Sequence, residues 1–469
     1  MANFKFSECS ASAAGESLNV IEANISSSIN SIPCATLLCS PVYNEEGTKG
    51  YQASISTVSA LYKKMKPLDF SQDGSLKITV KNEDSKGKDF DINLTGWKLA
   101  GAGLSDVTMN SVPLLSIILY HPICDLTTFG PVYGIPKKEL ATKVDNAVSG
   151  KVGLLNIMEA VYGALQIDDF QKVESSGNGE SVVNSFVSKL KGALTTYLDD
   201  QTSGTFLNLP AENVAKAIGR LVVPNQGSGS AWDTILALGG ELMLNIVQDK
   251  SHNFMGEKLL LEPIVPWKPQ SKTIEIEDTY SISFPGEDPL PIAAVVSRMF
   301  SSVDEIDLGF NGRPNVNPQT IYAYADASKS SNGGRGKVLC VNAPRLLDSA
   351  TSLAPSNGEK IDLAEIKAAF LEELKQGFNE QIKKFCQAVY ETEFMAMSNA
   401  RVTCVLDKDL YPGETCDVKA GGFLGRIVKV EHKVSMEPGA GSNVTTVWLD
   451  HVGSDGSRLG TKTKNAAYS

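Results

Sequence analysis

The sequence predicts an α+β protein with a β-unit toward each end of the chain and helices between them. Three observations carry this. Residues 16 to 100 alternate apolar and polar side chains with a period of two. Residues 410 to 453 do so again, through "LYPGETCDVKAGGFLGRIVKVEHKVS" and "NVTTVWLDHVG". Between the two, apolar residues recur at steps of three and four, over the longest run at 361–400. A period of two sends alternate side chains to opposite faces of a strand. Steps of three and four gather them on one face of a helix.

Taken in order, "SLNVIEANISSSINSIPCATLLCSPV" gives two candidate strands around Ser26 to Pro33. Leu76, Ile78 and Val80 then share one face, "NEDSKGK" supplies a turn, and Phe90, Ile92 and Leu94 share a face on the return. That is a hairpin with a long polar loop. The reading is β throughout this stretch, a barrel or sandwich of about 100 residues. From Pro136 the period lengthens, with Leu140, Val144 and Val148 four apart. "SSGNGES" breaks the pattern, and "VVNSFVSKLKGALTTYL" resumes it as a second amphipathic helix. A third helix is expected from "SGSAWDTILALGGELMLNIV", N-capped by Ser230, with Trp232, Leu236 and Leu242 to Ile246 as its core. Strands return at 272–284, where Ile274 and Ile276 alternate, as do Tyr280, Ile282 and Phe284. "NGRPNVNP", "SKSSNGGRGK" and "APSNGE" read as loops. The longest helix starts at Ile361, with Asp362 and Glu365 at capping-box spacing. Its stripe is Ile366, Phe370, Leu374, Phe378, Ile382, Phe385 and Val389. No tandem repeat of fixed period is present.

The chain of 469 residues is too long for one hydrophobic core, so roughly two to four structural units are expected. The expected division is a β domain at 1–135, a helical insertion at 136–230, a mixed α/β region at 231–400 containing the long helix 361–400, and a β-unit at 401–469. A net charge of −11 argues against a dedicated nucleic-acid binder, which carries a basic face. "MANFKFSECS" lacks the basic and apolar regions of a signal peptide. The longest apolar run, "VPLLSIILY", is shorter than the ~20 residues that span a bilayer. Synthesis and folding in the cytosol are the expectation. The eight cysteines, Cys9, Cys34, Cys39, Cys124, Cys340, Cys386, Cys404 and Cys416, form no CxxC. Buried free thiols are expected of them; a disulfide framework or zinc site is the minor reading.

Catalytic motifs fail one by one. "SNGGRGKV" has Ser331 where a phosphate loop needs Gly, and Val338 after Lys337 where it needs Ser or Thr. "GSGSAW" departs from the nucleophile elbow at Ala231 and Trp232. HExxH is absent. "DKDLYPGE", Asp407 to Glu414, lacks the ligand spacing of a calcium loop. Asp168-Asp169 and Asp199-Asp200 are acidic pairs of a kind expected by chance among 54 acidic residues. His121, before Pro122 in an apolar stretch, reads as core or loop. His432 and His451 lie on terminal strands but not opposite each other, which suits structural or surface roles. His252 follows a helix, whose negative end it could face. No catalytic, cofactor-binding or metal-ligating residue is therefore assigned, and the expectation is a non-enzyme.

The C-terminal succession "FCQAVYETEFMAMSNARVTCVL", "LYPGETCDV", "GFLGRIVKVEHKVS", "TTVWLDHVG" resembles the last part of the hub proteins of phage tail baseplates and related contractile injection systems. The matching residues are Pro412, Gly413, Gly425, Val428 (one place from the family's first Val), His432, Val434, Thr445, Thr446, Leu449 and Val452. "INSIPCATLLC", Ile29 to Cys39, is similar to an early strand of the same family, with Ser31 where a basic residue is frequent. The two likenesses cover about 90 residues, and 136 to 230 matches nothing in the family. The resemblance implies two tube-type β-barrels per chain, the second closed by residues 401–469. It implies a homotrimeric baseplate hub in the virion tail, assembled in the host cytoplasm. Such a hub is a symmetry adaptor between a sixfold tail tube or distal tail protein and a threefold central spike, among other baseplate proteins, with a channel through which DNA can pass unbound. The alternatives are another tail component, either wedge or receptor-binding protein, and a cell-wall hydrolase with an unfamiliar site.

Overall fold

The computed structural model describes residues 4–40, 50–65, 72–82, 89–109, 112–129, 185, 188–190, 192–196, 230–233, 235–236, 244–248, 259–263, 272–284, 292–299, 320–324, 337–342, 390, 399–436 and 443–453. The first unit contains β1 (Phe4–Ala13), β2 (Glu16–Leu18), β3 (Val20–Ser28), β4 (Cys34–Cys39), the helix α1 (Gly50–Lys64), β5 (Asp73–Asn82), β6 (Phe90–Met109) and β7 (Val112–Tyr120). A 3-10 turn, Pro122–Thr127, follows. Next come β8 (Leu244–Gln248), β9 (Leu259–Pro263), β10 (Lys272–Ile274), β11 (Thr279–Ser283), β12 (Ile292–Met299), β13 (Thr320–Tyr324) and β14 (Lys337–Asn342). The chain's last strands are β15 (Ala400–Val405), β16 (Thr415–Val418), β17 (Phe423–Ser435) and β18 (Val444–Gly453).

The fold is mainly antiparallel β. One sheet of 13 strands runs in the order β11-β15-β18-β17-β3-β4-β7-β6-β5-β1-β2, with β10 and β16 attached beside β17. A three-stranded sheet (β13-β12-β14) and the β8–β9 pair stand apart from it. Among the described residues the sheet does not close into a barrel. The N-terminal and C-terminal units are joined strand to strand, and the sheet's order does not close on itself.

The sheet is strongly curved. Phe90 of β6 and His432 of β17 are separated by three intervening strands, yet their ring centroids lie 5.2 Å apart. A flat sheet would hold strands four places apart at about 19 Å. The curl wraps one hydrophobic cluster, which runs from Ala11 and Leu76 through Ile25, Leu37 and Trp97 to Val430, Val447 and Leu449. Period-two patterning sets its inner face. Ala35, Leu37 and Cys39 point inward from β4; Ile117 and Leu119 do so from β7. Full burial of the Leu and Ile side chains among these is worth about 1.5–3 kcal/mol each.

The predicted hairpin is present, with Leu76 opposite Leu94, Ile78 opposite Ile92 and Val80 opposite Phe90. So are the two strands around Ser26 to Pro33, with Asn30 left-handed (φ +57°) between them. Three expectations need correction. The stretch read as wholly β contains α1, whose Val58, Leu61 and Met65 pack on the core. The expected third helix is helical at 231–233 and 235–236, but its downstream part is β8, paired with β9. Ser230 does cap its start, its Oγ accepting from Asp233 N at 3.2 Å while Asp233 accepts from Ser230 N at 2.7 Å. The strands expected at 272–284 are β10 and β11, but Ile276 is not strand as expected. Glu275–Asp278 form a turn that leaves Ile276 65% exposed, β10 pairs in parallel with β16, and β11 pairs with β15.

In the expected second helix, Leu190 and Leu194 are buried at helical spacing. The helix from Pro136 and the stripe from Ile366 to Val389 lie outside the described residues, as do His252, both acidic pairs and most of "SNGGRGKV".

Candidate functional site

The terminal β-unit and its seam with the first unit carry the densest set of specific interactions. The chain enters through the Tyr411–Glu414 turn, where Gly413 adopts φ +89°. Gly413 N donates to Ile427 O at 2.7 Å and Ile427 N donates to Glu414 O at 2.8 Å, which lays the turn along β17. β16 then pairs with β17 through the turn at Gly422, φ +63°.

Two irregularities shape the β17–β18 hairpin. Ile427 pairs with Leu449 and Lys429 with Trp448, so Val428 is an extra residue in a bulge. Ile427 is fully buried while Val428 is only half-buried; Val430, His432 and Val434 then follow on the inner face. Further along, Gly425 alone opposes His451 and Val452, and His451 adopts φ +53°. A Cβ at Gly425 would stand 3.0 Å from Leu449 Cβ and 3.3 Å from Asp450 O, so the close crossing of the strands requires glycine here.

Beside this bulge, Arg426 and Asp450 form a buried two-pronged ion pair, with Nε 2.8 Å from Oδ1 and Nη2 bonded to Oδ2. His451 Nδ1 lies 2.8 Å from the same Oδ1. Burial pushes the Asp450 carboxyl up, but His451 and Arg426 outweigh it and hold it below its ordinary value. Further along the same hairpin, His432 Nδ1 is 2.9 Å from Thr445 Oγ1, which accepts Asp407 N at 2.9 Å. Complete burial lowers the imidazole to about 3, so it is neutral across the physiological range. His121 is also structural. Its Nδ1 accepts Ile123 N at 3.2 Å at the start of the 3-10 turn, and its ring meets the edge of Trp97.

The seam is the β3–β17 ladder, from Lys429 opposite Ser28 to Ser435 opposite Glu22. Outward polar groups bridge it: Asn24 Nδ2 donates to Glu431 at 2.8 Å and Lys433 pairs with Glu22 at 3.2 Å. Above it the Trp448 indole is flanked by Lys429 Nζ, 4.4 Å from the ring centroid, and by Arg401, 5.1 Å away. β18 is buried on both faces along nearly its whole length.

Sequence reading singled out His432 and His451 and kept them from facing each other, as they are. It placed them in structural or surface roles, and both prove buried. It missed the Arg426–Asp450 pair and the cations flanking Trp448, because pairs across strands become visible only once register is fixed. The described cysteines are free thiols. Burial pushes Cys39 and Cys416 up to about 12 and also raises Cys404 and Cys124, which keeps all four as unreactive thiols. Around Asp407 to Glu414 the local device is a turn, in which Asp409 N donates to Asp407 Oδ1 at 2.8 Å.

No protein-family model matches the chain, and no curated protein matches it. Among solved structures it is similar to a tail protein from Neisseria meningitidis MC58, with a TM-score of 0.45 and 9% identity over 97% of this chain and 98% of that one. It is similar as well to a 43 kDa tail protein of prophage MuSo2 from Shewanella oneidensis (TM-score 0.40, 11% identity, 94% and 98% covered). A prophage tail protein from Listeria monocytogenes EGD-e gives a TM-score of 0.41 and 8% identity over 95% and 94% of the two chains.

Proposed function

We propose that the chain is a structural component of a phage tail or related injection machine, acting without catalysis as a homotrimeric hub between a sixfold tube and a threefold spike. One observation supports this most. The residues that resemble the hub motif are those that build the joint between the chain's two β-units. Gly413 turns the chain onto β17, and Gly425 permits the tight crossing with β18. His432 and Thr445 form the polar contact inside the hairpin, and Leu449 sits in the core. A component that transmits force between rings needs such a joint more than it needs a reactive group. The groups with catalytic potential in this unit, His432, His451, Cys404 and Cys416, are instead packed into the interior.

Assembly takes place in the host cytoplasm, beside the other baseplate proteins. With a net charge of −11, a channel through the trimer is neutral to negative, so passing DNA is not gripped. Native mass measurement and imaging of the purified protein test the reading. The expected result is three copies, or a multiple of three, around an open channel. A stable dimer, a ring lined with Lys and Arg, or release of soluble fragments from purified peptidoglycan would overturn it.

A further inference from the structure

The large sheet ends in two edges of opposite chemistry. β11 is the last strand at one end of the order and β2 at the other. Around β11, Ile276 and Phe284 are 65% and 62% exposed, and Tyr280 is exposed beside them. Glu275, Glu277 and Asp278 interleave with this apolar group. The Asp278 carboxyl is raised by its burial and then by Glu277, Asp407 and Glu275, which reflects the negative charge gathered there.

At the other edge α1 is tied down onto the β1–β2 turn. Lys64 Nζ donates to Ala14 O at 2.9 Å and pairs with Glu16 at 2.6 Å. The helix has no acidic residue and ends in Tyr62-Lys63-Lys64, where Lys63 is exposed beside the Lys64–Glu16 pair. Tyr62 is 71% exposed, and Ile55 lies exposed seven residues earlier on the same helix face. This edge is aromatic and basic; the β11 edge is aromatic and acidic.

We infer that the α1–β2 edge of one copy docks on the β11 edge of a second copy of this chain. The two patches differ, so the contact is head-to-tail, the kind that closes into a ring when the rotation allows. The inference rests on the proposed self-assembly of the chain and adds which surfaces meet.

Two full-length variants test it, Glu275→Lys with Glu277→Lys, and Lys63→Glu, followed by sedimentation over a range of protein and salt concentrations. The wild-type chain is expected to associate at low salt and to weaken as salt is raised. Each variant should associate about tenfold or more weakly. A mixture of the two variants should recover contacts between unlike copies, because one then presents two basic edges and the other two acidic ones; a ring of three still holds one contact between like copies, so recovery is partial. The charge-neutral pair Tyr62→Ser and Phe284→Ser gives a second route to the same loss should a charge variant misfold. Unaltered association in every variant would sink the edge assignment while leaving self-assembly in place. A wild-type chain that stays monomeric at low salt would overturn both.

Discussion

Thr445 makes a buried polar contact inside the terminal hairpin. Its Oγ1 takes the Asp407 amide hydrogen and stands 2.9 Å from His432 Nδ1. Thr445→Val keeps the shape but strips both groups of that partner, so a loss of about 1–3 kcal/mol in unfolding free energy is expected. Denaturant titration measures it, and an unchanged midpoint would show the contact to be dispensable. His432 adds a pH dependence. Its folded-state pKa is lowered from 6.5 to about 3 by burial alone. Below 6.5 the unfolded chain takes up a proton that the folded chain refuses. Stability therefore falls as pH drops through the window from 6.5 toward 3, by up to about 1.4 kcal/mol per unit from this one group. A His432→Gln variant should be less stable at neutral pH but show a shallower decline on acidification; parallel slopes would exclude His432 as a source. The sequence placed this histidine on a strand and kept it from His451. It could not give its burial, because that depends on Phe90 reaching it from a strand 342 positions away in the chain.

Elements were legible wherever period two ran unbroken. The β5–β6 hairpin and the β3–β4 pair follow directly from their alternation. The bulge in β17 left a trace as well. Ile427 and Val430 both point inward although three positions apart, which a regular strand forbids, and the extra residue Val428 restores the phase. Helix α1 was hidden for a different reason. Ile55, Thr57 and Val58 are β-branched and favour strands locally, while Val58, Leu61 and Met65 at steps of three and four meet the core and decide the outcome. At 272–284 both strands were legible, but the alternation of Ile274 with Ile276 carried on into a turn. At this scale Gly425→Ala is expected to cost about 1–3 kcal/mol, because neither Leu449 Cβ nor the Asp450 carbonyl can retreat far. Thermal unfolding reads this out, and a fully stable variant would mean that the crossing is looser than its distances. The seam has its own test. Asn24 and Lys433 are cross-strand partners, so Asn24→Cys with Lys433→Cys should oxidise to a bridge within one chain. A non-reducing gel should reveal a compact, fast-migrating monomer compared with the wild-type chain. A crosslinked dimer would place the seam between copies.

At the scale of the whole molecule, the first unit depends on the last. β3 would be an edge strand of the N-terminal unit if β17 were missing, and seven consecutive positions, Glu22 to Ser28, would lose their pairing partners. The inner face would lose Ile427, Val430, Val434, Val447 and Leu449 from a cluster that is continuous with Ile25, Phe90 and Trp97. A chain ending at Leu424 removes all of this at once. Its first unit then exposes an apolar interior and a long unpaired strand, the combination that templates aggregation. That chain is expected to aggregate or fail to assemble, rather than to fold and lose a single activity. The same coupling predicts that Trp97 in the first unit and Trp448 in the last unfold together in the full-length chain, as one cooperative transition. Sedimentation of the truncated chain and two-probe unfolding of the intact one address the point independently. A soluble, assembled protein ending at Leu424, or two separate transitions, would show that β17 and β18 are an appendage. The seam would then be a surface contact between two self-sufficient units, and the single curved sheet would not be the unit that folds.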